Sequence, residues 1–177
     1  MEKYLAAVVR SDGVILGESL ASQNKIHEAW GGIVPNLARE AHMEKIDLVV
    51  DEALRKASMS ITDVDAIGVT VGPGLEVCLR VGCNKAKALA LEHNKPFVAV
   101  HHLEAHILMS RLPHAAASDV DLVVLPATAD THESFRALDF PFLALLVSGG
   151  HCQLLKCLGI GKYSILGGTM DDSLGKH

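Results

Sequence analysis

Little in this sequence is basic, aromatic or rich in cysteine, and each shortage excludes something. Lys and Arg number 16 against 21 Asp and Glu, so the formal net charge is −5 and the pI is about 6.0. A polyanion such as RNA meets a slightly repulsive average field and needs a local basic face, which no single run of the sequence supplies. The four cysteines, Cys78, Cys83, Cys152 and Cys157, form two Cys-x4-Cys spacings, not the Cys-x2-Cys of a zinc site. With no secretory signal, they are expected to be reduced core thiols of an intracellular protein, without a redox role. No apolar run reaches the ~20 residues that span a bilayer, so no membrane partner is expected. The N-terminus MEKYLAAVVR lacks the Arg/Ser-rich amphipathic character of a transit peptide.

What is present is an Ala/Val/Leu-rich chain of 177 residues, 49 % hydrophobic and 21 % charged. That is an α/β profile, with enough length for one domain or a large lobe of a bigger one. YLAAVVR, SDG and VILGES read as strand, tight turn and strand, with Asp-Gly supplying the turn. WGGIVP (30–35) reads as a loop, and the segment from Asn36 to Ser58 as a helix with Leu37, Ala41, Leu48 and Ala53 at helical spacing. AIGVTV (66–71) is a short apolar run that suits a buried strand, followed by a helix over roughly 75–92. FVAV (97–100) is a second buried strand feeding a helix that starts near the histidines and ends by Pro113. Strand, helix, strand and helix at this spacing predict parallel strands with a crossover. Residues 114–138 have no long period and read as a surface insertion, with one short strand at VDLVVL. FPFLALLVSGGHCQLLKCLG then gives a hairpin around Ser-Gly-Gly. TMDD (169–172) reads as a helix opening, with Thr169 as N-cap and Asp172 three residues on. A helix cut short at His177 has under two turns, and the expectation is a piece of a longer protein.

Three clusters carry candidate chemistry. In VAVHHLEAHIL (98–108), a helix beginning near residue 101 puts His102 and His106 four apart on one face, where their imidazoles can converge on one ion. His101 points elsewhere, and Glu104 falls on the opposite side, which argues against a zinc-peptidase arrangement. Surface histidines without a metal remain the alternative, and two ligands alone are too few for a tight site. In VGPGL (71–75), a Gly-Pro-Gly turn opening a helix can present backbone N–H groups to an anion, or be a plain strand-to-helix turn. In LLVSGGH (145–151), two glycines can curl successive N–H groups into a nest for a nucleotide phosphate, with the Ser148 hydroxyl beside it, or make an ordinary hairpin turn. Glu40 and His42 on the helix after GGIVP read as scaffold.

Five blocks, GGIVPNLAREAH, VGPGL, KPFVAVHHLEAH, FPFLALLVSGGH and LGGTMDDSLG, occur in one order. In this the chain resembles the Gcp-like family, the tRNA threonylcarbamoyladenosine synthases once called O-sialoglycoprotein endopeptidases. Ser-Gly-Gly-His in place of Ser-Gly-Gly-Asn resembles the bacterial and organellar branch. The resemblance implies an actin-like ATPase (ribonuclease H-like) lobe, a mixed sheet with helices. It implies transfer of a threonylcarbamoyl group from threonylcarbamoyl-adenylate to an adenosine beside the tRNA anticodon. It implies one divalent metal ion, iron or zinc, on His102 and His106, and a nucleotide loop at Leu146, Val147, Ser148, Gly149 and Gly150. No catalytic nucleophile is nominated. A second copy of the chain or a paralogous subunit is an implied partner, and the mitochondrion an implied compartment, with the cytoplasm as alternative.

The family's opening strand, with a Glu-Thr-Ser-Cys-Asp type motif, has no counterpart ahead of MEKYLAAVV, and its third metal ligand, an Asp, falls in the second lobe beyond residue 177. The chain is therefore expected to be residues 1–177 of a first lobe without its first strand. That strand lies centrally, between the hairpin and AIGVTV, so its neighbours are expected to show unpaired edges and the isolated chain to fold poorly. Two other readings are a non-catalytic lobe that binds a nucleotide or a partner, and a metallopeptidase, against which the position of Glu104 counts.

Overall fold

The hairpin, the first long helix and the strand–helix–strand pattern are all realised in the computed structural model. It describes residues 3–22, 34–111, 138–147 and 152–170. The chain divides into two compact units, residues 1–103 and 104–177.

In the first unit β1 (Lys3–Val9) and β2 (Ile15–Ser22) pair antiparallel, with Leu5 opposite Leu20 and Ala7 opposite Glu18. The turn is built by Asp12. Its carboxylate accepts from the Nε–H and an Nη2–H of the Arg10 guanidinium and from the Val14 N–H, while Gly13 adopts a left-handed φ of 89°. β2 runs three residues past the expected VILGES. Helix α1 (Pro35–Ala57) starts with a proline in its first turn, where a missing N–H costs nothing. It ends on Ser58 in the left-handed region, whose N–H closes onto Arg55 O. Its buried stripe is Ala38, Ala41, His42, Val49 and Ala53, which includes small residues that let the helix lie close on the hairpin. At Gly17 the approach is backbone to backbone: an added Cβ would stand 2.4 Å from Ala53 O and 2.5 Å from Ala57 N. His42 is buried, in keeping with a scaffold role. Its Nδ1–H donates to Ala38 O at 2.7 Å, and its ring meets Tyr4 edge-on at 4.5 Å.

β3 (Ile67–Gly72) and β4 (Phe97–His101) are parallel, with Ile67 opposite Phe97 and Thr70 opposite Val100. Helix α2 (Glu76–Glu92) connects them and packs back through Cys78, Ala86 and Ala90. The Cys83 thiol reaches Thr70 O at 3.8 Å, and Lys85 pairs with Asp47 of α1 at 2.8 Å. Among the described residues β1 pairs only with β2 and β3 only with β4, so the expected mixed sheet is here a set of separate sheets.

In the second unit β5 (Phe142–Val147), β6 (Cys152–Gly159) and β7 (Lys162–Gly168) form an antiparallel sheet in that order. The hairpin around Ser-Gly-Gly is as expected, with Val147 opposite Cys152. β7 was not expected. It was hidden by its terminal glycines and by TMDD, which suggested a helix start. The Thr169 hydroxyl accepts from the Cys152 N–H at 2.7 Å, tying the end of β7 to β6, and the helix expected from TMDD onward lies outside the described residues. Helix α3 (His102–Leu108), followed by a 3-10 turn at Met109–Arg111, seats Ile107 in a core with Leu155 and Cys157. Phe140, Phe142, Ala144, Leu146 and Tyr163 surround that core, and the Arg111 guanidinium lies 4.3 Å over the Phe140 ring. Burial pushes the Cys157 thiol pKa up, as expected of an inert core cysteine. No described helix is long and apolar enough to cross a membrane. The 114–138 insertion, apart from Leu138, lies outside the described residues.

Candidate metal-binding helix and its surroundings

β4 ends at His101 and α3 begins at His102, so the strand delivers the histidine cluster directly onto a helix. His102 and His106 are four apart on that helix and both exposed, as is His101. The opposite face is occupied. Ile107 is 5 % exposed, and the half-buried Glu104 accepts two hydrogen bonds on one oxygen. One comes from the Tyr163 hydroxyl at 2.6 Å, the other from the Gly161 N–H at 2.7 Å. Tyr163 responds: burial, and then the hydrogen bond to Glu104, push its pKa up to about 12. Glu104 is thus turned from the histidines and engaged in holding the helix, which removes it as a metal-side base.

Two imidazoles one turn apart fit one edge of an ion's coordination shell. Among the described residues no group of three His, Cys, Asp or Glu is placed to complete it. The donor set suits zinc or iron in type but not in number.

The strand-end loop is reached only in part. Leu146 is half-buried against the Ile107–Leu155–Cys157 core, and Val147 is exposed. The Leu146 side chain therefore serves packing, and any ligand contact there falls to the backbone. Ser148, Gly149, Gly150 and His151 lie outside the described residues.

At the Gly-Pro-Gly turn a cavity of about 350 Å³ opens between Gly72–Gly74 and α2, bordered by Leu79, Arg80, Cys83, Asn84 and Lys87. Arg80 is paired with Glu76, and Glu76 stands in the first turn of α2. Its carboxylate supplies the negative charge a helix start favours, and that supports the plain strand-to-helix turn.

The features that sequence reading missed are Tyr163 and Gly161. Their only local signal was Glu104 lying three before Ile107, which puts an acid on the apolar side of a short helix.

The family model for tRNA N6-adenosine threonylcarbamoyltransferase, TsaD, matches residues 14–128. A probable mitochondrial tRNA N6-adenosine threonylcarbamoyltransferase of Arabidopsis thaliana is 42 % identical over 171 residues, 97 % of this chain and 31 % of that protein. The enzyme of the same name from Pelagibacter ubique is 43 % identical over 162 residues, 92 % of this chain and 39 % of its own length. That of Bacillus subtilis is 41 % identical over 175 residues, 99 % and 44 %. The chain thus spans less than half the length of these relatives. With most of its length under the family model, and with bacterial and mitochondrial relatives along nearly all of it, the chain belongs to the TsaD family.

Proposed function

We propose that this chain is part of a tRNA N6-adenosine threonylcarbamoyltransferase. In this reading both units are portions of an actin-like ATPase fold, and residues 1–177 carry one side of its adenylate site. The observation that carries the reading is the β4–α3 junction, which sets His102 and His106 on one exposed helix face inside the segment matched by the family model. The two imidazoles hold a divalent ion, iron or zinc, and a third donor, an Asp by family resemblance, comes from outside this chain. That ion supplies positive charge beside the adenylate. Ser148, Gly149 and Gly150 hold the adenylate through backbone N–H groups and a hydroxyl, and the backbone at Leu146 and Val147 leads into that loop.

The chemistry is acyl transfer by positioning and electrostatics, with no covalent nucleophile. The adenosine's exocyclic nitrogen bonds to the carbamoyl carbon of threonylcarbamoyl-adenylate. The bond from that carbon to the phosphate oxygen breaks, AMP leaves with the electron pair, and the nitrogen gives up a proton. The tRNA approaches residues of net charge −5, so its docking calls for basic surface on the remainder of the protein or on a paralogous subunit. The Arabidopsis relative's name supports a mitochondrial location, and the bacterial relatives leave the cytoplasm as the alternative.

A strain lacking the modified nucleoside tests the proposal. Extension of this chain to the length of its relatives restores the modification, and His102→Ala with His106→Ala abolishes it. Unmodified tRNA in the presence of the extended, folded protein overturns the reading.

A further inference from the structure

We infer that Glu104 is a positioning residue for the histidine pair: its carboxylate fixes the rotation of α3 and so the direction in which His102 and His106 face. The inference rests on the metal-holding role proposed above. α3 has seven residues, too few for a helix to keep its own orientation. Its apolar attachment is Ile107, seated against Leu155 and Cys157. Apolar burial has no direction, so Ile107 fixes where the helix sits, and its joins to β4 and to the 3-10 turn leave its rotation only loosely set. Hydrogen bonds are directional, and Glu104 adds two. It sits one turn before Ile107, and its Oε1 accepts from the Tyr163 hydroxyl at 2.6 Å and the Gly161 N–H at 2.7 Å.

These donors come from sequence positions 57 and 59 residues away, on the β6–β7 turn and the strand after it. Gly161 adopts a left-handed φ of 69°, which a glycine takes without steric cost and which lets the two-residue turn face its N–H to the carboxylate. At 100° per residue, the mean direction of the histidines lies roughly 150° from that of Glu104 and Ile107. The anchored face and the presented face are therefore nearly opposite. Without the carboxylate, the rotation of α3 is set less tightly and the imidazoles lose part of their common aim.

Zinc titration of the chain extended to the length of its relatives tests this, with His102→Ala/His106→Ala in the same extended protein as baseline. Glu104→Ala weakens the histidine-dependent zinc affinity about tenfold. Tyr163→Phe gives a smaller loss, and Glu104→Gln, whose amide oxygen accepts the same two bonds, regains wild-type affinity. Should Glu104→Ala not fold, Tyr163→Phe carries the test, because it deletes one bond and keeps the ring. Wild-type affinity in either folded variant overturns the inference. Wild-type protein that binds zinc no better than the double histidine variant overturns the metal role itself. Hydrogen exchange on the metal-free protein separates the two: Glu104→Ala speeds exchange across residues 102–108 and leaves β1 and α1 unchanged. Unaltered exchange at 102–108 counts against positioning whatever zinc does.

Discussion

Tyr163 is where one side chain's protonation bears on the stability of the second unit. Its hydroxyl donates to Glu104, and burial together with that carboxylate raises its pKa from 10.0 to about 12. A raised folded-state pKa means a contribution that is whole below the unfolded value and lost as pH climbs to the folded one. The window is therefore about pH 10 to 12. Tyr163→Phe costs roughly 1.5 kcal/mol at neutral pH, the value of a hydrogen bond to a charged group. The gap between wild type and Tyr163→Phe closes as the phenol ionises beside a carboxylate. Denaturant titrations of both proteins at about pH 8 and about pH 12 measure it. A gap that is constant with pH sinks the prediction. The site divides along the same line. The placement of His102 and His106 on one helix face was legible because helical spacing is local. The engagement of Glu104 was not, because its donors lie 57 and 59 residues away and nothing in HHLEAH encodes them.

Between elements, the closest approach in the first unit is α1 on β2. Gly17 carries no side chain, so the carbonyl of Ala53 and the amide of Ala57 come within 2.4 and 2.5 Å of where a Cβ would stand. Both are backbone atoms, so relief needs movement of the whole helix. Gly17→Ala is expected to destabilise the unit by about 1–3 kcal/mol, the usual cost of overpacking. Ala57→Gly should relieve none of it, since the backbone atoms remain. A wild-type melting temperature for Gly17→Ala contradicts this contact. Sequence patterning read most elements near their observed ends because periodicity and turn residues are local signals. It placed α1 by Leu37, Ala41, Leu48 and Ala53; Ala41 and Ala53 are in the buried stripe, which also takes Ala38, His42 and Val49, while Leu48 is exposed. The reason is steric: close packing on Gly17 selects small residues for the contact face, and a reading that followed the larger apolar residues drifted to the flank. β7 escaped for a related reason, since it gains its place by pairing with β6 and by the Thr169 tie to Cys152.

At the scale of the molecule, the second unit's sheet carries apolar residues on both faces, and among the described residues only one of them is packed. Ala144, Leu146, Leu155 and Cys157 face the Ile107 core, while Leu143, Leu145 and Val147 of β5 and Leu158 of β6 stand more than half exposed. Leu145 lies directly opposite Leu154 and between Leu143 and Val147 on the same face, so these four side chains form an apolar surface, with Lys156 opposite Leu143 at its border. Strands with apolar residues on both faces are built to be covered on both. A contiguous apolar patch in water drives association. The chain is therefore expected to bind a hydrophobic dye in its folded state and to self-associate with rising concentration. Leu145→Lys places a charge at the centre of the patch on a side chain that contributes little to the packed face. It should weaken dye binding and association several-fold while shifting stability by less than about 0.5 kcal/mol. Sedimentation velocity across a concentration series, read beside dye fluorescence, checks both. A wild-type chain that stays monomeric and dye-free, with β5 and β6 protected from hydrogen exchange, would show that the face is already covered by residues outside those described here.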